Sequence, residues 1–84
     1  MITIIDALKN MEGKQVSIST EHKLFGNQNI SMVFEPETEI GLGFHCKNQV
    51  IYIDKEDARF YDITKDEICI EGELMRIVIK LIKN

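Results

Sequence analysis

The segment from residue 74 to residue 82 constrains the fold of this chain most tightly. Apolar residues occupy every second position from Met75 to Leu81, and Arg76 and Lys80 lie on the opposite face. A helix needs apolar residues three and four positions apart, so the pattern favours a strand. Ile occurs fourteen times in the 84 residues, and stiff β-branched side chains favour strands. We therefore expect a β-rich fold.

The N-terminal segment differs, because it has the spacing of a short helix. Thr3 followed by Asp6 resembles a capping box, and Gly13 supplies a stop, so the helix is predicted over about residues 3–12. Its apolar residues recur at helical spacing: Ile4, Leu8 and Met11. This apolar stripe is expected to cover the open end or edge of a sheet.

Five to six short antiparallel strands are predicted to follow the helix. The clearest segments are 14–20, 30–34 (ended by Pro36), 39–46, 49–53 and a C-terminal third joined or bent at Gly72. Residues 59–63 form either a short strand or an irregular crossing. Polar residues 21–29 are predicted to be a loop, and Lys47-Asn48 a hairpin turn. The expected class is mainly β (α+β), a single domain of residues 1–84 that forms a small barrel or a strongly curved sheet.

Glycines and cysteines on these strands have structural interpretations. Gly41 and Gly43 share one strand face with His45, which suggests strong bending or close packing there. Ile40 and Cys46 belong to the opposite, apolar face. Cys46 and Cys69 are expected to act as small hydrophobic residues rather than as a disulfide.

The localisation is predicted from the length of the apolar runs and from the residues before Asp6. Its longest apolar runs, Val50–Ile53 and Ile77–Ile79, are far shorter than the ~20 residues that cross a bilayer. The residues before Asp6 include no cationic side chain, so they do not resemble a secretion signal. We expect a cytoplasmic protein without a membrane partner.

No local catalytic motif is present, so no catalytic residue, cofactor or metal site is predicted. His45 and Cys46 are neighbours on one strand and point to opposite faces, which prevents them from chelating one metal ion. The acid-rich segment 54–57 is interpreted as a solvated loop. A small-molecule enzyme that uses acids between Asp54 and Asp62, Asp57 and Asp62 among them, is kept as an alternative.

Charge is distributed unevenly along the chain. Residues 35–73 carry eleven acids and four bases, whereas residues 74–84 carry three bases and no acid. Nucleic-acid binding needs a basic surface, and only a short basic stripe is available: Arg76, Lys80 and Lys83. The alternative interpretations of this stripe are a solvated strand face and a surface that attracts the acidic middle of another subunit. RNA is a disfavoured partner, and DNA is not expected.

Three stretches resemble motifs of the Sm-like family. Gly13–Ile18 is similar to the entry into the first strand, Gly41–Phe44 with Asn48–Val50 is similar to the first Sm motif, and Ile70–Gly72 resembles the second. The resemblance implies a short helix and five bent strands that close a small, SH3-like barrel.

The chain departs from the family pattern at the positions that bind RNA. His45 stands where the pattern has Asp, Asn48 is one residue too close, and Glu71 replaces a basic residue before Gly72. The resemblance therefore implies a ligand or RNA loop made of His45, Asn48, Glu71 and Gly72, in which only Asn48 carries over from the family.

These observations lead to a functional expectation with two alternatives. We expect a non-enzymatic binding or assembly module that forms a homo-oligomer through exposed strand edges, with the long C-terminal strand as the candidate edge. An RNA-binding Sm-like ring protein is the first alternative. The small-molecule enzyme is the second.

Overall fold

The computed structural model describes residues 2–83. These residues form one helix and eight strands: α1 (Ile4–Asn10), β1 (Gln15–His22), β2 (Gly26–Val33), β3 (Pro36–Glu37), β4 (Leu42–Cys46), β5 (Gln49–Ile53), β6 (Phe60–Ile63), β7 (Glu67–Glu71) and β8 (Met75–Leu81). The predicted mainly β class with a short N-terminal helix is confirmed. Over the same residues, no helix is long and apolar enough to cross a membrane.

Helix α1 begins where the sequence predicts. Oγ1 of Thr3 accepts a hydrogen bond from the backbone N–H of Asp6 at 3.0 Å, which satisfies one of the unpaired donors of the first turn. The helix ends at Asn10 instead of residue 12. Gly13 follows with a φ of +81°, a conformation that costs glycine little, and turns the chain toward β1.

Strand β8 lies at the centre of a five-stranded antiparallel sheet, whose strand order is β2-β1-β8-β7-β6. Ile79 of this strand lies opposite Ile18 of β1 on one side and opposite Ile68 of β7 on the other. The prediction that the C-terminal strand is a free edge is therefore wrong. In the interior of a sheet, the N–H and C=O groups on both sides of a strand are hydrogen-bonded to neighbouring strands. The apolar face of β8 can then pack on the core. The edges of this sheet are β2 and β6.

The polar segment 21–29 is not the predicted loop. Strand β1 continues to His22 and β2 begins at Gly26, whose φ of +84° closes a three-residue turn. Every residue from Gly26 to Val33 lies opposite a residue of β1. The side chains show little apolar alternation because β2 is an exposed edge strand, so backbone pairing maintains it with little side-chain burial.

A second, three-stranded sheet of order β3-β4-β5 continues from β2 through a bend. The backbone N–H of Phe34 donates to Lys14 O at 2.9 Å, toward β1. The next residue, Glu35, accepts at its carbonyl oxygen a bond from the N–H of His45 at 2.9 Å, toward β4. Strand β2 ends at Val33, before Pro36 as predicted, and Pro36 itself begins β3. The segment from β2 to β3 thus belongs to both sheets.

Strands β4 and β5 form the predicted hairpin, with Cys46 opposite Gln49 and a turn at Lys47, whose φ is +56°. A Cβ atom placed on Gly43 would overlap the backbone oxygen of Ile51. The close packing predicted at this glycine is therefore confirmed.

The core lies between the inner faces of the two sheets and α1. Its largest fully buried side chains are Phe34, Phe44, Leu8, Ile18, Leu42, Ile68, Ile70, Ile77, Ile79 and Val16. Ile40, predicted to share the buried face of β4, precedes that strand and is 57% exposed. Cys46 is half-buried and Cys69 is buried, and both are free thiols as predicted.

The two sheets curve around this core but do not close into a barrel over residues 2–83. The hairpin of β4 and β5 pairs only with β3, so the outer side of β2 stays open. The closed barrel is therefore wrong, and residues 2–83 form eight strands in two antiparallel sheets instead of the predicted five to six strands.

Candidate functional site

The structure gives His45 a partner that the sequence does not reveal. Nε2 of His45 lies 2.7 Å from Oε1 of Glu37, which is buried, while Oε2 of Glu37 accepts the backbone N–H groups of Glu39 and Ile40 at 2.8 Å each. The Ile40 bond is the main reason that the pKa of the Glu37 carboxyl lies below its usual 4.5, with smaller contributions from Glu39 and His45 against the effect of burial. The His45–Glu37 pair therefore fixes the loop between β3 and β4.

Asn48 and Glu71 lie in different clefts. Asn48, in the β4–β5 turn, lines a groove of about 440 Å³ beside β2, here named the edge groove: Gln28, Ile30, Cys46, Lys47, Asn48, Gln49 and Ile51. Glu71 and Gly72 line another cleft, together with His22 and Arg76. The ligand loop implied by the Sm-like resemblance is thus divided among three places, because His45 lies with Glu37.

Gly72 also has a packing role. A Cβ atom at this position would lie 2.9 Å from Cγ2 of Ile53 and 3.0 Å from Oδ2 of Asp57. The same Asp57 oxygen accepts the backbone N–H of Glu73 at 3.3 Å. Asp57, one of the acids considered for catalysis, therefore connects the turn after β5 to the β7–β8 turn. Asp62 lies elsewhere, on β6 opposite Cys69.

The predicted basic stripe lies on the outer face of the sheet among acidic neighbours. Arg76 sits between Glu21 and Glu71 of the adjacent strands, and its Nε donates to Sγ of Cys69 at 3.4 Å. This contact with sulfur is the main reason that the pKa of the Arg76 guanidinium lies above its usual value. Lys80 lies opposite Glu67 in the strand register.

Lys83 completes the stripe, and its Nζ lies 2.6 Å from Oδ2 of Asp66. Each base therefore has an acid across the sheet or in contact. The described residues contain no group of three His, Cys, Asp or Glu side chains that could hold a metal ion.

The outer side of β2, here named the β2 edge, is the feature that stands out. Hydrogen bonds alternate along an antiparallel ladder, and the bonds at Phe34 and Glu35 fix which residues face which side. The even-numbered residues of β2 bond to β1. The N–H and C=O groups of four exposed residues therefore point away from the sheet: Asn27, Asn29, Ser31 and Val33.

No strand lies on that outer side within residues 2–83. On the other side, Ser19 Oγ of β1 donates to Oδ1 of Asn29 at 2.7 Å across the β1–β2 pair. The sequence holds one signal for this edge, a run without charge from residue 24 to residue 34, and part of that run falls within the predicted loop.

Comparisons of this chain with protein-family models, with curated proteins and with solved structures found no match. The Sm-like resemblance therefore stays a prediction.

Proposed function

We propose that this chain is a non-enzymatic assembly module that self-associates by adding a strand of a second copy to the β2 edge. The observation that carries the proposal is the character of β2: an edge strand of eight residues without a charged side chain or a proline. Natural sheet proteins usually protect such an edge with charge, proline, a bulge or a short strand, because free backbone groups pair readily with another chain.

The other edges of the two sheets have more of these protections. Strand β6 has four residues and carries Asp62, and β3 has two residues and begins with Pro36. Strand β5 is also uncharged, but it has only five residues and lies between Lys47 and Asp54. The β2 edge is thus the longest one without protection, which supports it as the site of association.

The absence of charge supports a second copy as the partner. When two copies of one strand pair about a two-fold axis, any charged residue near the axis faces a like charge on its twin. Strand β2 has no such residue. The apolar side chains near it add surface to bury: Val33 is 54% exposed, and Leu24 and Phe25 of the preceding turn are 71% and 82% exposed.

A matched pair of charge variants tests the proposal. Ser31 lies on the β2 edge, and Ser17 is its direct neighbour on the interior strand β1, on the same face. We expect Ser31→Glu to dissociate the oligomer in sedimentation velocity, because the two introduced carboxylates would lie close together. Ser17→Glu adds the same charge one strand away and should leave association unchanged. Equal effects of the two variants would contradict the proposal.

The RNA-binding and enzymatic alternatives have less support. The bases expected to contact phosphate lie beside acids, with Arg76 between Glu21 and Glu71, and this surface offers RNA little uncompensated positive charge. Asp57 is engaged by the backbone of Glu73. We therefore propose neither activity.

A further inference from the structure

Resting on the proposed function, we infer that two copies pair through β2 in one register, in which the numbers of facing residues sum to 60. Ile30 then lies on the two-fold axis, opposite Ile30 of the partner subunit. The apolar side of the new strand pair lies along the edge groove. A second copy of this chain thereby supplies the strand that the β2 edge lacks.

The direction of pairing follows from the two faces of the sheet. A two-fold axis perpendicular to the sheet makes the two β2 strands antiparallel and keeps both apolar inner faces on the same side. A parallel arrangement of two copies would place their inner faces on opposite sides of the joined sheet. The partly buried Ile30 and Met32, which pack against the core of their own chain, would then not meet the same residues of the partner subunit. Antiparallel pairing is therefore the arrangement that brings these apolar side chains together.

The register follows from which backbone groups are free. Only the odd-numbered residues of β2 direct N–H and C=O groups outward, so an outward residue must face an outward residue and the facing numbers must sum to an even value. A sum of 60 pairs all four: Asn27 with Val33, and Asn29 with Ser31, each twice. A sum of 58 leaves Val33 without a partner, and a sum of 62 leaves Asn27 without one.

The side chains agree with this register. On the inner face, Ile30 meets its own copy, and Gln28 meets Met32 of the partner subunit. These inner side chains lie beside the groove that Cys46 and Ile51 line. The partner thus brings Ile and Met side chains to the groove beside Ile30, Cys46 and Ile51, and the charged residue that lines this groove, Lys47, is exposed.

Variants that each introduce one new cysteine on β2 test the register. They are made in a Cys46→Ala background, and Cys69 is kept because it is buried. In the inferred register Ile30 forms a non-hydrogen-bonded pair with its copy, with a Cα separation of about 4.5 Å, which a disulfide can span. We expect mild oxidation to double the mass of Ile30→Cys on a non-reducing gel.

Asn29→Cys and Ser31→Cys are the matched controls. Residue 29 of one copy faces residue 31 of the other copy. Two copies of the same residue lie diagonally across the axis, with a Cα separation of roughly 7–8 Å, beyond the usual span of a disulfide. Each alone should stay at the mass of one chain, whereas an equal mixture of the two should give the covalent dimer. Because Ile30→Cys alters a partly buried site, hydrogen exchange on the unmodified chain supplies a second measurement. The amides of Asn29 and Ser31 should exchange faster on dilution.

The outcomes separate this inference from the proposed function. A chain that stays monomeric at high micromolar concentration overturns both. A dimer in which Asn29→Cys or Ser31→Cys alone crosslinks retains the assembly function and overturns the register. A dimer that forms no crosslink at any of the three positions, or a larger oligomer that pairs β2 with β5, also overturns it.

Discussion

Glu37 and His45 are joined by a contact of 2.7 Å between a buried carboxylate and a half-exposed imidazole, and the same carboxylate holds two backbone N–H groups of the following loop. This arrangement explains why a charged residue is tolerated at the junction of β3 and β4. A buried acid is stable there because both of its oxygens accept hydrogen bonds.

The lowered pKa of Glu37 makes stability depend on pH. Because its pKa is lower in the folded chain than in the unfolded chain, its stabilisation is fully present above the usual pKa of 4.5 and is lost as pH falls through the folded value. We expect the free energy of unfolding to fall more steeply between neutral pH and about pH 3 in the wild type than in Glu37→Gln. Urea titrations at several pH values measure this difference.

The exposed Glu35 provides the control for that experiment. Glu35→Gln should show the same pH dependence as the wild type. If Glu37→Gln also follows the wild-type curve, the assigned hydrogen bonds do not stabilise the fold.

Cys69 should be protected from thiol reagents by Arg76. Residue Cys69 is 5% exposed although its side chain faces the outer side of the sheet, and Nε of Arg76 lies 3.4 Å from its sulfur. We expect Cys46 to react quickly and Cys69 slowly with a disulfide reagent. Arg76→Ala should expose Cys69 and give two fast thiols, whereas Lys80→Ala, on the same face, should not. An unchanged Cys69 rate in Arg76→Ala would disprove the shielding.

Two phenylalanines test where the core lies. Phe44 is fully buried and its ring centroid is 6.4 Å from that of Phe34, whereas Phe60 is 52% exposed. Phe44→Ala should lower the free energy of unfolding by about 3–5 kcal/mol, because it removes apolar contacts and leaves a cavity. Phe60→Ala should change it by no more than about 0.5 kcal/mol. Urea denaturation compares them, and similar losses would contradict the assigned core.

The sequence predicted those elements whose side chains carry a burial pattern. The alternation that includes Ile77 and Ile79 predicted β8 because one face of that strand is buried. The same reasoning missed most of β2, because Asn27 and Asn29 lie on an exposed edge where backbone hydrogen bonds maintain the strand. The interior position of β8 results from its pairing with both β1 and β7, which the local pattern of side chains does not show, so the free edge was predicted at the wrong strand.

Site residues were harder to predict, because tertiary contacts decide their surroundings. Nothing in the sequence distinguishes Glu37 from Glu35 or Glu39, and only the folded chain brings its carboxylate to His45 of β4. Asn48 and Glu71 were grouped by the Sm-like resemblance, and the open sheets place them in separate clefts.

A proline on the β2 edge should weaken association without unfolding the chain. The N–H of Ser31 points away from β1, so Ser31→Pro removes a bond only between copies. Two such bonds are lost per dimer, at about 1 kcal/mol each, which corresponds to roughly a thirtyfold increase in Kd. Ser31→Ala retains the N–H and should dimerise normally. Circular dichroism would show whether the Ser31→Pro monomer keeps its sheet content.

Sedimentation equilibrium of the unmodified chain at high micromolar concentration measures whether two copies associate. We expect a concentration-dependent mass that approaches twice the 9.7 kDa of one chain. A mass of 9.7 kDa at every concentration would contradict the claim that β2 is an edge built for self-association.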